Sequence, residues 1–124
     1  MADSANKQNN RSIGTLYEDK ACEYLQSCGY TLLSRNFRTR RGEIDIIAFD
    51  KETLVFVEVK YRKTYRAGYP EDAVGISKQR TIFHIAQVFM TVNHYPQGMP
   101  CRFDVICLDG YGNLRHYKNA FGGI

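Results

Sequence analysis

Residues 42–62 read Gly-Glu-Ile-Asp-Ile-Ile-Ala-Phe-Asp-Lys-Glu-Thr-Leu-Val-Phe-Val-Glu-Val-Lys-Tyr-Arg, and their reading decides the fold. Two runs rich in β-branched and aromatic residues flank the polar break Asp50-Lys51-Glu52, the signal of a β-hairpin. With an even loop, opposed residues have numbers that sum to 103, and opposed side chains share a face. One face then carries Ile44, Ile46 and Ala48 against Val59, Val57 and Val55. The other carries Phe49 against Leu54, Ile47 against Phe56, Asp45 against Glu58 and Glu43 against Lys60. An odd loop would instead set Asp45 opposite Val57.

The second face is apolar near the turn and ionic at the open end. Glu43 opposite Lys60 makes an ion pair. Asp45 opposite Glu58 is a like-charge pair, with Cβ atoms ~5 Å apart, which is destabilising unless a cation or a shared proton intervenes. Hard divalent ions take oxygen ligands of this kind, and Lys60 lies on the same face. The plainer alternative is a solvated strand end whose charges repel weakly in water.

Outward from the hairpin, 124 residues suit one domain with its own core. The net charge of +4 is unevenly placed. Arg35, Arg38, Arg40 and Arg41 form one basic cluster, and Lys60, Arg62, Lys63 and Arg66 another, both abutting the ionic end. Such a distribution suits a polyanionic partner, although a solvated loop surface carries the same composition. No run approaches the ~20 apolar residues of a membrane span. The polar N-terminus has no signal-type apolar stretch, so no membrane association and a cytoplasmic location are expected. Cys22, Cys28, Cys101 and Cys107 lack zinc-knuckle spacing and are expected as reduced, mostly buried thiols.

Residues 1–11 are polar and aperiodic and are expected to be a disordered tail, with a single domain over 12–124. A helix is expected from Ser12 as N-cap to Gly29 as left-handed stop, with Ile13, Tyr17, Ala21, Tyr24, Leu25 and Cys28 on its apolar stripe. Glu18 flanks that stripe, either solvated or aimed into a site. Tyr30–Phe37 reads as a strand, followed by an arginine-rich connection. Residues 63–76 form a loop beside the ionic end. Ser77 is expected to cap a second helix to Val92, with Ile82, Ile85, Ala86, Phe89 and Met90 inward. Lys78, Gln79 and Arg80 occupy its anion-friendly first turn. Cys101–Leu108 and Leu114–Tyr117 are the last strands. The order α-β-β-β-α-β-β implies an α/β fold: a central mixed five-stranded sheet flanked by helices.

Asp45, twelve further residues, then Glu58-Val59-Lys60, preceded by a helix bearing Glu18, resembles the D…E-x-K signature of the restriction-endonuclease-like superfamily. The chain more closely resembles the YraN family of small bacterial proteins. That match rests on Gly14 with Glu18, Arg35-Asn36, Arg41-Gly42-Glu43-Ile44-Asp45, Phe56-Val57-Glu58-Val59-Lys60, Lys78-Gln79 and Arg102-Phe103-Asp104-Val105, and it spans roughly residues 13–121. The family in turn resembles archaeal Holliday-junction resolvases. What the resemblance implies is a restriction-endonuclease-like fold and hydrolysis of DNA phosphodiesters with Mg²⁺ or Mn²⁺. Asp45, Glu58 and Glu18 would be metal ligands, Lys60 the catalytic lysine and Gln79 an auxiliary site residue. DNA, branched DNA included, would be the partner, and a homodimer is implied by junction cleavage.

From the residues themselves, Arg38, Arg40, Arg41, Arg62, Lys63, Lys78 and Arg80 are candidates for phosphate contact without base reading. The alternative function is a non-catalytic nucleic-acid-binding or scaffolding domain that retains the fold. A third reading has the carboxylates simply paired with arginines.

Overall fold

The structure is a computed structural model that describes the backbone of residues 2–62 and 74–122, and the side chains of 14–62 and 74–122. The elements are α1 (Ala2–Ser27), β1 (Thr31–Thr39), β2 (Gly42–Asp50), β3 (Thr53–Arg62), α2 (Ile76–Val92), β4 (Cys101–Asp109) and β5 (Leu114–Phe121). The sheet runs β1-β2-β3-β4-β5. All neighbours are antiparallel except β3 and β4. That one parallel pair requires a crossover, and α2 supplies it. The expected mixed sheet with its α-β-β-β-α-β-β order is therefore the fold.

The hairpin register is the even one. Ile46 pairs with Val57, Ile47 with Phe56, Ala48 with Val55, Phe49 with Leu54 and Asp50 with Thr53. Lys51, first of the two loop residues, has φ 56°, as a two-residue turn that follows the strand twist requires. The arginine-rich connection shrinks to a second tight turn, because Thr39 pairs with Gly42 and only Arg40 and Arg41 lie between.

Each sheet face is covered by one helix. Ala21, Cys22 and Leu25 of α1 pack on Ile46, Ala48, Val55, Val57, Ile106 and Leu108, with Tyr17 and Tyr24 at the margin. Ile82, Ile85, Ala86 and Phe89 of α2 pack on Ile47, Leu54, Phe56, Phe103 and Val105. Period-2 strands meet period-3.6 helices on both sides, so Leu54 to Val57 is buried without interruption, as expected of a strand covered on both faces. Phe56 lies parallel to Phe103 and edge-on to Phe89, and Phe83 stands edge-on to Phe103.

Several boundaries differ from expectation. The helix α1 begins at Ala2 rather than near Ser12, since residues 2–12 contain neither Gly nor Pro to stop it. Its end is as expected: Gly29 has φ 89°, and the Tyr30 N–H returns to the Leu25 carbonyl (3.0 Å). The N-cap of α2 is Gly75, with no side-chain cap bond, rather than Ser77; Ser77 sits inside the first turn. The last strand reaches Phe121 instead of Tyr117. Asn119, at φ 53°, bulges it, and its N–H bonds to Asp104 Oδ1 (2.9 Å). None of the four cysteines is joined in a disulfide, but only Cys22 and Cys107 are buried. Cys28 falls where α1 ends at its corner, and Cys101 opens β4. The expected loop beside the ionic end falls almost wholly on 63–73, outside the described residues.

One polar network ties the turn end of the sheet together. Asp104, fully buried, accepts from Arg102 Nε (3.0 Å) and lies 2.7 Å from His116 Nε2. Arg102 Nη1 also donates to Asp50 (3.0 Å) and Nη2 to the Tyr30 hydroxyl, while His116 Nδ1 meets the Tyr24 hydroxyl (3.0 Å). Burial alone would raise the Asp104 carboxyl, yet the bonds from His116, Arg102 and Asn119 hold it below its ordinary value.

Candidate active site

At the other end of β2 and β3 the sheet loses its regularity, and the acids sit at that break. Arg35 pairs with Ile46 and Phe37 with Ile44, yet each strand changes faces between these positions. Ile46 packs with the α1 cluster and Ile44 with the α2 cluster. Arg35 reaches Glu18 and Asp19 on α1, whereas Phe37 stands edge-on to Phe89 of α2. The residues between are Asn36 and Asp45. Asn36 takes φ 53°, a conformation Asn tolerates better than most residues. Its Nδ2 donates to Glu18 Oε2 (3.1 Å).

The kink also separates β2 from β3. Ladder pairing stops at Ile46 and Val57, and beyond it Asp45 Oδ2 accepts the Val59 N–H (2.8 Å). Asp45 and Glu58 are thus neighbours without being a regular cross-strand pair. The expected Glu43–Lys60 ion pair does not form. With β2 leaning towards β1, Glu43 pairs across that ladder with Arg38 and accepts its Nε–H at 2.8 Å.

The Glu58 side chain is buried and half-compensated. Its Oε2 lies 3.1 Å from Lys78 Nζ. Its Oε1 is buried with no hydrogen-bond partner, which a native structure ordinarily avoids. Burial raises the Glu58 carboxyl above its ordinary value, although Lys78 and Lys60 pull the other way. Burial raises Asp45 too, joined by the charge of Glu58 and opposed by the Val59 N–H, to about 7. Lys60 is half-buried, and burial together with the adjoining Lys78 ammonium lowers its pKa. Burial likewise weighs against a charged Lys78, but its contacts with Lys60 and Glu58 outweigh that and hold it raised.

Two acids short of partners form a donor set that suits a hard divalent ion: one orphaned buried oxygen and one carboxyl whose ionisation the site resists. Among the described residues no three His, Cys, Asp or Glu side chains gather into a metal cluster. Glu18 is held by Asn36 and by Arg35 at 3.6 Å; with Glu43 and Arg38 it lines a polar recess of about 350 Å³. The Gln79 amide donates to the Val74 carbonyl (2.8 Å) and so anchors the start of α2. Of the basic candidates, Arg40 and Arg41 are exposed at the β1–β2 turn, Arg62 is exposed at the end of β3 and Arg80 on α2. Lys63 lies outside the described residues. Lys78, expected as a phosphate contact, is the residue that meets Glu58. A hint lay in its place, since the first turn after a β3–α2 crossover returns over the end of β3.

The model of the uncharacterised protein family UPF0102 matches residues 17–108. The chain belongs to that family. UPF0102 proteins similar to it include one from Lachnoclostridium phytofermentans, 46% identical over 113 residues, covering 91% of this chain and 95% of the relative. One from Clostridium botulinum is 41% identical over 117 residues (90% and 95%), and one from Persephonella marina 46% over 104 (84% and 88%). The family-matched segment of this UPF0102 chain contains Glu18, Asp45, Glu58, Lys60, Lys78 and Gln79. Among the described residues no helix is long and apolar enough to cross a membrane.

Proposed function

We propose that this UPF0102 protein is a metal-dependent nuclease acting on DNA phosphodiesters, selective for shape more than sequence, with Mg²⁺ or Mn²⁺ at Asp45 and Glu58. The observation that carries the reading is the unpartnered, buried Glu58 Oε1 beside an Asp45 carboxyl raised to about 7. A fold tolerates such a pair where a ligand completes it. A divalent ion held there supplies Lewis acidity and offsets phosphate charge.

The chain's own groups supply the rest. Asp45 is oriented by the Val59 N–H, so its second oxygen is the one free to bind. Lys60, on the acid face of β3, places a cation where charge develops on the phosphate. Arg40, Arg41, Arg62 and Arg80, exposed around the open end, bind backbone phosphates. Arg38, tied to Glu43, contributes mainly by keeping the surrounding field positive. Glu18, fixed by Asn36, borders the recess through which a strand approaches.

The alternative, a non-catalytic nucleic-acid-binding domain, draws on the Lys78–Glu58 ion pair, which part-neutralises the site without any metal. Incubation with single-stranded, duplex, flap and four-way DNA in Mg²⁺ and in Mn²⁺ separates the two. Cleavage of at least one substrate, lost in Asp45→Asn, is the expected result. Binding without cleavage across the whole panel would favour the alternative.

A further inference from the structure

Lys78 has no role in the chemistry above, yet among the described residues it forms an ion pair with Glu58. Its ammonium lies 3.1 Å from Oε2, on a side chain that is 45% exposed against 5% for Glu58. The buried partner is fixed by β3, while the exposed one can swing away. Lys60 also faces the same carboxylates. Asp45 and Glu58 together carry at most two negative charges, and Lys60 and Lys78 already supply two positive ones. A divalent ion entering this set leaves it with an excess of two positive charges. The ion also meets an ammonium a few ångströms away, where like charges repel strongly at partly buried sites.

We propose that Lys78 is a displaceable cation that holds Glu58 until metal and phosphate arrive together, so that metal binding and polyanion binding are coupled through it. This rests on the metal reading of Asp45 and Glu58. Metal on Glu58 expels the Lys78 ammonium, and a DNA phosphate gives it a new partner beside the excess positive charge. Lys78 stands in the first turn of α2, where unpaired backbone N–H groups also favour a phosphate. Coupling of this kind is reciprocal: DNA raises metal affinity by the factor by which metal raises DNA affinity. In the absence of DNA the site therefore holds metal poorly, by construction.

The test uses the full chain and Mn²⁺ alone, by calorimetry, on the parent, Lys78→Met and Lys78→Arg. Thermal melts establish that each variant is folded. Without its competitor, Lys78→Met binds Mn²⁺ at least tenfold more tightly, while Lys78→Arg, keeping the charge, stays near the parent. Anisotropy with a labelled duplex, checked intact on a gel, then shows Mn²⁺ enhancing DNA binding several-fold more in the parent than in Lys78→Met. Equal or weaker Mn²⁺ binding by folded Lys78→Met overturns the proposal and leaves the metal reading standing. An Arg variant as tight as the Met variant overturns it too, because charge would not be the competing property. Absence of Mn²⁺ binding in all three proteins up to millimolar metal overturns the metal reading and this coupling with it.

Discussion

Replacing Asp45 by Asn in metal-free protein tests the electrostatic reasoning at its source. The Asp45 carboxyl titrates near 7 in the fold against about 3.9 in an unfolded chain. A raised acid binds protons more tightly in the folded state, so the contribution of Asp45 to stability is fully present below pH ~4 and is lost as pH rises through 7. At 1.36 kcal/mol per unit, a rise of about three units sets a ceiling of ~4 kcal/mol on the penalty at pH 8. Asn keeps the acceptor for the Val59 N–H but takes an amide N–H₂ out of water, at a cost of roughly 1–2 kcal/mol. The net expectation is a variant about 1–3 kcal/mol more stable than the parent at pH 8, a rise in Tm of several degrees for a domain of this size. At pH 5 the gain vanishes or reverses. Urea melts of both proteins in EDTA at pH 5, 6, 7 and 8 measure this directly. A stability difference that does not vary with pH, or an Asn variant that is the weaker at pH 8, would refute the account and mark Asp45 as a satisfied ion-pair acid.

Lys60→Ala should fold and bind DNA nearly as well as the parent but cleave the best substrate of the panel ~10²-fold more slowly, the scale of one lost electrostatic stabiliser. Glu43→Ala, which frees only the exposed Arg38 pair, should cost ~0–1 kcal/mol of stability and far less activity; equal losses in the two variants would remove Lys60 from the chemistry. Joint neutralisation of Arg40, Arg41 and Arg62 should weaken DNA binding on every sequence and flatten its dependence on log salt, each lost phosphate contact removing about one unit of slope. An unchanged slope moves the binding surface elsewhere. Arg102→Met should destabilise by ~3–5 kcal/mol, since it strips a buried carboxylate, Asp104, of its guanidinium; a loss under 1 kcal/mol in a urea melt would show that His116 and Asn119 suffice.

The sequence made some of this legible and hid the rest for identifiable reasons. Alternation narrowed the β2–β3 hairpin to two registers, of which the loop in the structure selects the even one, and the apolar stripe of α2 followed from its period. Both are local patterns. The partner of Glu43 could not be found the same way, because alternation assumes an unbroken pleat and the pleat breaks at Asn36 and Asp45. An Asn within a run of strand formers is a weak sign of such a break. The end of β5 was hidden by Lys118 and Asn119, whose place in the strand depends on a bond to Asp104 from outside their own segment. Asp45 and Glu58 stood out as an unfavourable pair in any register with an even loop. The Lys78 contact needed the crossover, which only the folded chain supplies.

The connectivity of the sheet also bears on how the chain reaches its final state. Pairing of β2 with β3 joins residues such as 47 and 56, and is closed by a short loop. Pairing of β3 with β4 joins residues such as 57 and 104, and waits on a much longer closure, which is slower and entropically dearer. Asp45 and Glu58 both belong to the early hairpin, whereas Lys78 arrives with the late crossover. The nascent meander therefore holds two acids together before their lysine reaches them.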